Sequence, residues 1–432
     1  MRFLSTRGDA PAVGLSAAIA AGLAPDGGLY VPAAFPRADL DAIAPDATLP
    51  EIAAWLLRPW FAGDPLAAHL DAICREALAF DTPLRPLPWD DTYLLELFHG
   101  PTAAFKDVGA RFLAACMRRL RAPSDPPLTI LVATSGDTGA AVGAAFHRLP
   151  GFRVVILYPD GRVSPRQAHQ LGCFGDNVHA FRVAGSFDDC QRMVKTALGD
   201  TDLQARTPLS SANSISLGRL LPQMSYYAQA ALRLHAEHGV APDFVVPTGN
   251  LGNALACVWA RTMGLPIGKV HLACNANAVL PDFLAGADYA PRASVATLAN
   301  AMDVGAPSNA ERLRWMFDDD FIRAQFTAQS VDDVAIRDTV RALAAEHDLV
   351  VCPHTATALH VLARLRDADP SRLRVAVATA HPAKFEGVIE PLIGRSVPVP
   401  STLDHLLRRV AHAEPLPADD DALREVLLDS VR

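Results

Sequence analysis

Four short stretches of the chain combine side chains that could do chemistry with the punctuation of turns. The first is Phe98-His99-Gly100-Pro101-Thr102-Ala103-Ala104-Phe105-Lys106-Asp107, in which a loop signal runs straight into a helical pattern with a lysine at the junction. Gly100-Pro101 marks the loop, and Val108, Phe112 and Leu113 open an apolar face at helical spacing that continues to Leu120. Lys106 is thus placed at a helix entrance, where the positive end of the dipole disfavours a cation. Either its amine reaches solvent or pairs with Asp107, or its charge is removed by forming an imine with an aldehyde.

The other stretches are Thr134-Ser135-Gly136-Asp137-Thr138-Gly139, Pro247-Thr248-Gly249-Asn250-Leu251-Gly252-Asn253 and Ala380-His381-Pro382-Ala383-Lys384-Phe385. Each of the first two follows a strand pattern and precedes a helical one. A helix N-terminus in such a turn offers outward N–H groups to an anion, and glycine lets the main chain approach closely. The plainer alternatives are an N-cap at Ser135 or Thr138 and a tight strand-to-helix connection at 249–253. The latter turn lacks the three-glycine spacing and trailing acid of a dinucleotide site. Thr379 ends a strand, either hydrogen-bonded to nearby backbone or facing a ligand. For Arg219, Lys384 and Arg162 a surface ion pair competes with the holding of an anionic group.

Taken together these motifs resemble the threonine synthase family in its long microbial form, over nearly the whole chain from the first residues to beyond Lys384. The resemblance implies pyridoxal 5'-phosphate as cofactor, joined to Lys106, with its phosphate on Gly249, Asn250, Leu251, Gly252 and Asn253 and its ring nitrogen facing the Thr379 hydroxyl. It further implies that Ser135, Asp137 and Thr138 meet the substrate's α-carboxylate. Asn213, Ser214, Arg219 and Lys384 match the family's phosphate-holding residues, with Arg162 a weaker match. Leu251 and Asn253 depart from the family's Gly-Asn-Phe-Gly-Asp pattern; backbone donors survive both changes, whereas a contact of the usual acidic side chain does not. The implied reaction turns O-phospho-L-homoserine and water into L-threonine and phosphate. Rivals are a serine/threonine dehydratase of the same fold and a non-catalytic relative that senses the cofactor or an amino-acid phosphate.

The elements needed to position these residues are legible as well. Leu128 to Ala133, Val154 to Tyr158, Val178 to Val183, 244–246, Val270 to Ala273, Leu349 to Val351 and Val375 to Ala378 read as strands, with Tyr93 to Phe98 as a shorter one. Helical patterns at 109–121, 140–147, 187–198 and 219–238 separate many of them. Such alternation predicts an α/β protein with largely parallel sheets covered on both faces. The resemblance implies two open α/β domains of the tryptophan synthase β-like kind with an N-terminal helical domain. The expected division is an N-terminal unit at 1–90, a catalytic core at 91–398 with a smaller subdomain near 110–205, and a tail at 399–432 forming surface helix.

Composition sets the remaining bounds. Half of the residues are hydrophobic and 20% are charged, as in a folded chain. The net charge of −8 and the lack of a basic, aromatic-interleaved stretch argue against nucleic acid. The 7 cysteines are scattered without a Cys-x-x-Cys pair, which predicts reduced, buried thiols in a cytoplasmic protein. His354 and His360 have no metal-ligand spacing. The Ala-rich run at 12–24 reads as a helix rather than a targeting segment, and no stretch has the length of a membrane span. A monomer or homodimer acting on a small molecule is expected.

Overall fold

The computed structural model describes residues 1–429. Its larger sheet runs Phe326–Ser330, Val270–Cys274, Asp243–Pro247, Arg374–Ala378, Thr92–Glu96 and Leu84–Pro86 in spatial order. All neighbours are parallel except the last pair, in which Leu84 lies opposite Leu95. The smaller sheet is Glu414–Pro417, Val178–Ala184, Phe152–Pro159, Leu128–Ala133 and Leu209–Ser211, parallel throughout. Strands buried on nearly every residue, such as Asp243–Pro247 and Arg374–Ala378, require cover on both faces, and helices provide it. A two-stranded ribbon, Phe3–Ser5 with Tyr30–Pro32, belongs to the N-terminal segment.

Three differences from the sequence reading have clear causes. Leu349 to Val351 is not a strand: Asp348 adopts a left-handed conformation (φ 50°) after the helix Asp333–His347, and Leu349 and Val351 drop into the core as an extended link to the helix Pro353–Ala368. The tail is more than surface helix. Glu414–Pro417 adds an edge to the smaller sheet against Val178–Ala184, and Leu416, Leu423 and Leu427 are buried in that sheet's apolar cluster. The expected helix at 219–238 is divided by Pro222 into Leu217–Leu220, a short turn at Leu221–Gln223, and Met224–His238.

Parallel strands gather their carboxyl ends on one side, where α/β proteins place ligands. Five chemistry-bearing segments leave from such ends: 97–105 after Thr92–Glu96, 379–384 after Arg374–Ala378, 248–251 after Asp243–Pro247, 134–136 after Leu128–Ala133, and 212–216 after Leu209–Ser211. All the cysteines are unpaired and buried. Among the described residues, no helix is long and apolar enough to cross a membrane.

Candidate active site

Lys106 is the first residue of the helix Lys106–Leu120. Its loop is fastened to the strand end carrying Thr379: the Phe105 amide donates to the Thr379 carbonyl (2.8 Å), the Leu97 amide to Ala378 (2.9 Å) and the His381 amide to Ala103 (3.0 Å). Ala103, at φ 55°, makes the sharp turn this requires. Asp107 does not pair with Lys106. Its buried carboxylate accepts from the Thr102 amide (2.8 Å) and hydroxyl (2.7 Å), closing the loop on itself.

Lys106 keeps partial exposure. Burial nevertheless pulls its amine down to about 8, with Asp137 opposing the fall and the cations Arg219 and Lys384 adding to it. Both observations hold together if the amine faces a cleft rather than the outer surface. The other lysines differ: Lys195 and Lys269 are exposed, and Lys384 is fully buried in an ion pair.

The Asp137–Phe146 helix begins after Gly136, whose φ of 131° and approach to Gln167 leave no room for a side chain: a Cβ there would lie 2.6 Å from the Gln167 carboxamide. Capping falls to Thr134, whose hydroxyl accepts from the Gly136 (3.0 Å) and Gly139 (2.9 Å) amides. Ser135 and Thr138 stay partly exposed, and among the described residues their hydroxyls make no hydrogen bond. The same is true of the Thr379 hydroxyl, so satisfaction by neighbouring backbone does not account for it. Asp137 is buried. Its carboxylate meets the Lys384 ammonium at 2.7 Å and accepts from the Gln167 amide group at 3.0 Å, and Lys384 and Lys106 hold it well below the usual carboxylate range.

Lys384 also donates to the Thr102 carbonyl (2.8 Å) and has no exposed surface, so its charge is committed to Asp137 rather than free to meet an anion. Arg219, expected on the surface if it had no ligand, is 2% exposed and donates to the Ala212 carbonyl (2.6 Å). Arg162 is exposed.

In the glycine turn, Leu251 is left-handed (φ 63°) with its side chain buried, and the helix Gly252–Thr262 starts immediately after it. Gly249 packs on the backbone of Met302, where an added Cβ would sit 2.7 Å from the Met302 Cα. Gly249→Ala is therefore expected to cost about 1–3 kcal/mol of stability and to weaken cofactor retention, checked by denaturant unfolding and by absorbance after gel filtration. Asn250 binds Ser214 through its amide group and accepts from the Ser308 amide. Asn253 turns inward to accept from the Tyr226 (2.5 Å) and Tyr227 (2.8 Å) hydroxyls, so its side chain braces the helix from behind the turn.

Sequence reasoning missed several residues here. His354 is buried, its Nε2 accepts from the Ala301 amide (3.1 Å), and burial holds it at about 4, so it is neutral beside Asp137, Lys106 and Lys384. Gln167 and Asn300 bridge the Ser135 turn to the 300–302 turn, with contacts of 3.4 Å between themselves and 3.5 Å from Asn300 to the Ser135 carbonyl. Only the neutral polarity of these residues was visible in the sequence.

A lysine at a helix entrance, a neutral hydroxyl at the adjoining strand end and a glycine turn on the next strand define a class, the pyridoxal-phosphate dependent enzymes, whose family model matches residues 76–379. Within that class the chain belongs to the threonine synthase family. The threonine synthase N-terminal model matches residues 2–78 and the C-terminal model residues 355–427. The chain is 38% identical over 419 residues to threonine synthase of Haemophilus influenzae, covering 97% of each chain, and 37% identical over 422 residues to that of Escherichia coli, covering 96% of this chain and 97% of the other. The crystal structure of Escherichia coli threonine synthase superposes with a TM-score of 0.92 at 35% identity, covering 100% of both chains. A structure described as threonine synthase with bound PLP, from Brucella melitensis, gives 0.91 at 34% identity, again over 100% of both.

Proposed function

We propose that this chain is a threonine synthase, converting O-phospho-L-homoserine and water to L-threonine and phosphate with pyridoxal 5'-phosphate as cofactor. The observation that carries the reading is Lys106: partly exposed, with an amine that burial pulls down to about 8, on the strand-end loop fastened to Thr379. The residues present fit the cofactor. An amine near neutrality suits its aldehyde, the start of the Gly252–Thr262 helix suits its phosphate, and the unbonded Thr379 hydroxyl suits its ring nitrogen.

When bound, the cofactor supplies an electron sink for negative charge developing beside the substrate's amino group. Lys106 would hold it through Nζ and, once freed, would take and return protons at Nζ on Cα and Cβ of the substrate. The Thr379 hydroxyl is neutral and cannot hold the ring nitrogen protonated as a carboxylate would, which favours elimination and replacement. Ser135 and Thr138 offer free hydroxyls to the substrate's α-carboxylate. Asp137, committed to Lys384, holds the turn that presents them. Asn213, Ser214 and Arg219 take the substrate phosphate. We take the enzyme to act in the cytoplasm as a monomer or homodimer, without nucleic-acid or membrane partners.

Two measurements test this reading. Purified holoenzyme is offered O-phospho-L-homoserine and L-serine in parallel: equimolar phosphate and threonine from the first support it, and keto-acid from serine without phosphate release would replace it with a dehydratase. Because the free amine is the reactive form and its pKa is lowered to about 8, the rate at which cofactor-free protein takes up pyridoxal phosphate should rise with pH and level off above about 8. A rise continuing to the ordinary lysine range near 10.5 would contradict the placement of Lys106.

A further inference from the structure

Two guanidinium groups beside the segment Ala212–Ser216 are buried without an acid. Arg312 has 0% exposure and Arg219 2%, and among the described residues neither forms an ion pair. The nearest acids they feel, Glu311 and Asp107, are engaged elsewhere: Glu311 accepts from the Thr6 hydroxyl and faces Arg7 at 3.6 Å, and Asp107 is closed onto Thr102. The contrast is with Lys384, equally buried, which has Asp137 at 2.7 Å. Taking a charge out of water without an opposite charge is costly, and hydrogen bonds to neutral acceptors offset only part of that.

Both cations grip the same segment of chain. Arg219 donates to the Ala212 carbonyl (2.6 Å) and Arg312 Nη2 to the Ile215 carbonyl (2.6 Å). Arg312 also donates through Nε to Tyr30 (3.0 Å) and through Nη1 to the Asn309 side chain (2.7 Å). Asn309 in turn donates to the carbonyls of Asn250 (3.1 Å) and Ser214 (3.4 Å). Between the pinned ends, Asn213 and Ser214 remain partly exposed. The Ser216 hydroxyl, on a residue 1% exposed, and the Arg219 Nε are both buried with no hydrogen-bond partner. An incoming acceptor would satisfy them, and its negative charge would neutralise the two cations.

We propose that Arg312 is a positioning residue and buried counter-charge behind the anion-holding segment Asn213–Ser216, the anion being a phosphate monoester dianion, the substrate's on the reading above, with the cofactor's as the alternative that the test separates. Asn309 carries its effect to the glycine turn, and Ile215 carries it to the Ser214 and Ser216 hydroxyls. The substrate arm rests on the activity proposed above; the anion site itself does not.

The test compares wild-type holoenzyme with Arg312→Gln and Arg312→Lys. Three quantities are read: the rise in unfolding temperature caused by inorganic phosphate, cofactor retained after gel filtration, and KM against kcat for O-phospho-L-homoserine. Removing the charge should abolish the phosphate-induced rise or deplete the cofactor, with an affinity loss of roughly ten- to a hundredfold, as for one charge-assisted hydrogen bond. Lysine should restore part of it. A raised KM with full cofactor retention assigns the anion to the substrate; lost cofactor with an unchanged KM assigns it to the cofactor. A wild-type phosphate response, retention and KM in Arg312→Gln would overturn the proposal, and if that variant does not fold, Arg312→Met, which also removes the charge, is judged on the same readings. If wild-type enzyme releases no phosphate from the substrate, the activity fails while the inorganic phosphate and retention readings still decide the role of Arg312.

Discussion

Lys106→Ala is expected to reduce phosphate release from O-phospho-L-homoserine by at least about a thousandfold, the upper part of what a positioned proton-transfer group contributes, and to remove the visible absorption of lysine-bound cofactor. Nothing nearby can take over. Lys384 is fully buried against Asp137, while His354 is held neutral with its Nε2 already accepting from Ala301. Folding should survive the change, because Lys106 is partly exposed at the first turn of its helix and forms no ion pair among the described residues. Circular dichroism and thermal unfolding check that the loss is chemical. Retained turnover in a variant free of wild-type contamination would contradict the assignment.

The second large effect concerns the Lys384–Asp137 pair. Lys384→Met leaves a buried carboxylate with only a carboxamide contact, and a cost of about 3–5 kcal/mol is expected, read by denaturant unfolding. Combining it with Asp137→Asn should recover much of that loss, since no lone charge then remains. The same pair tunes Lys106. Lys384 depresses the Lys106 amine and Asp137 raises it. Lys384→Met should therefore move the pH midpoint of cofactor uptake upward from about 8, and Asp137→Asn should move it downward. Shifts in the same direction for both variants would show that the two charges do not act on Lys106 as the geometry requires.

The sequence made some of this plain and concealed the rest for physical reasons. Lys106 at a helix entrance was legible because Gly100-Pro101 breaks the chain just before an apolar face of helical period. Leu128 to Ala133 and Val375 to Ala378 were legible because a parallel strand covered on both faces is apolar at nearly every residue. Leu349 to Val351 shows the limit of that signal: three apolar residues bury equally well in a short link between helices. Glu414–Pro417 gave no signal, since two prolines are tolerated only at a sheet edge, where the partner is supplied from far away in the chain. Lys384 and Asp137 likewise meet only in three dimensions. Arg312 resembles any arginine on a polar helix, beside Glu311 and near Arg314, until the fold seals it beneath Tyr30 and Ile215.

The central claim is that the cofactor is carried by Lys106. Reducing the holoenzyme with borohydride fixes the pyridoxyl group on the lysine that holds it, and peptide mass spectrometry then locates it among Lys106, Lys195, Lys269 and Lys384. The expected result is a single label on Lys106. A label on Lys195, Lys269 or Lys384, with Lys106 unmodified, would contradict it.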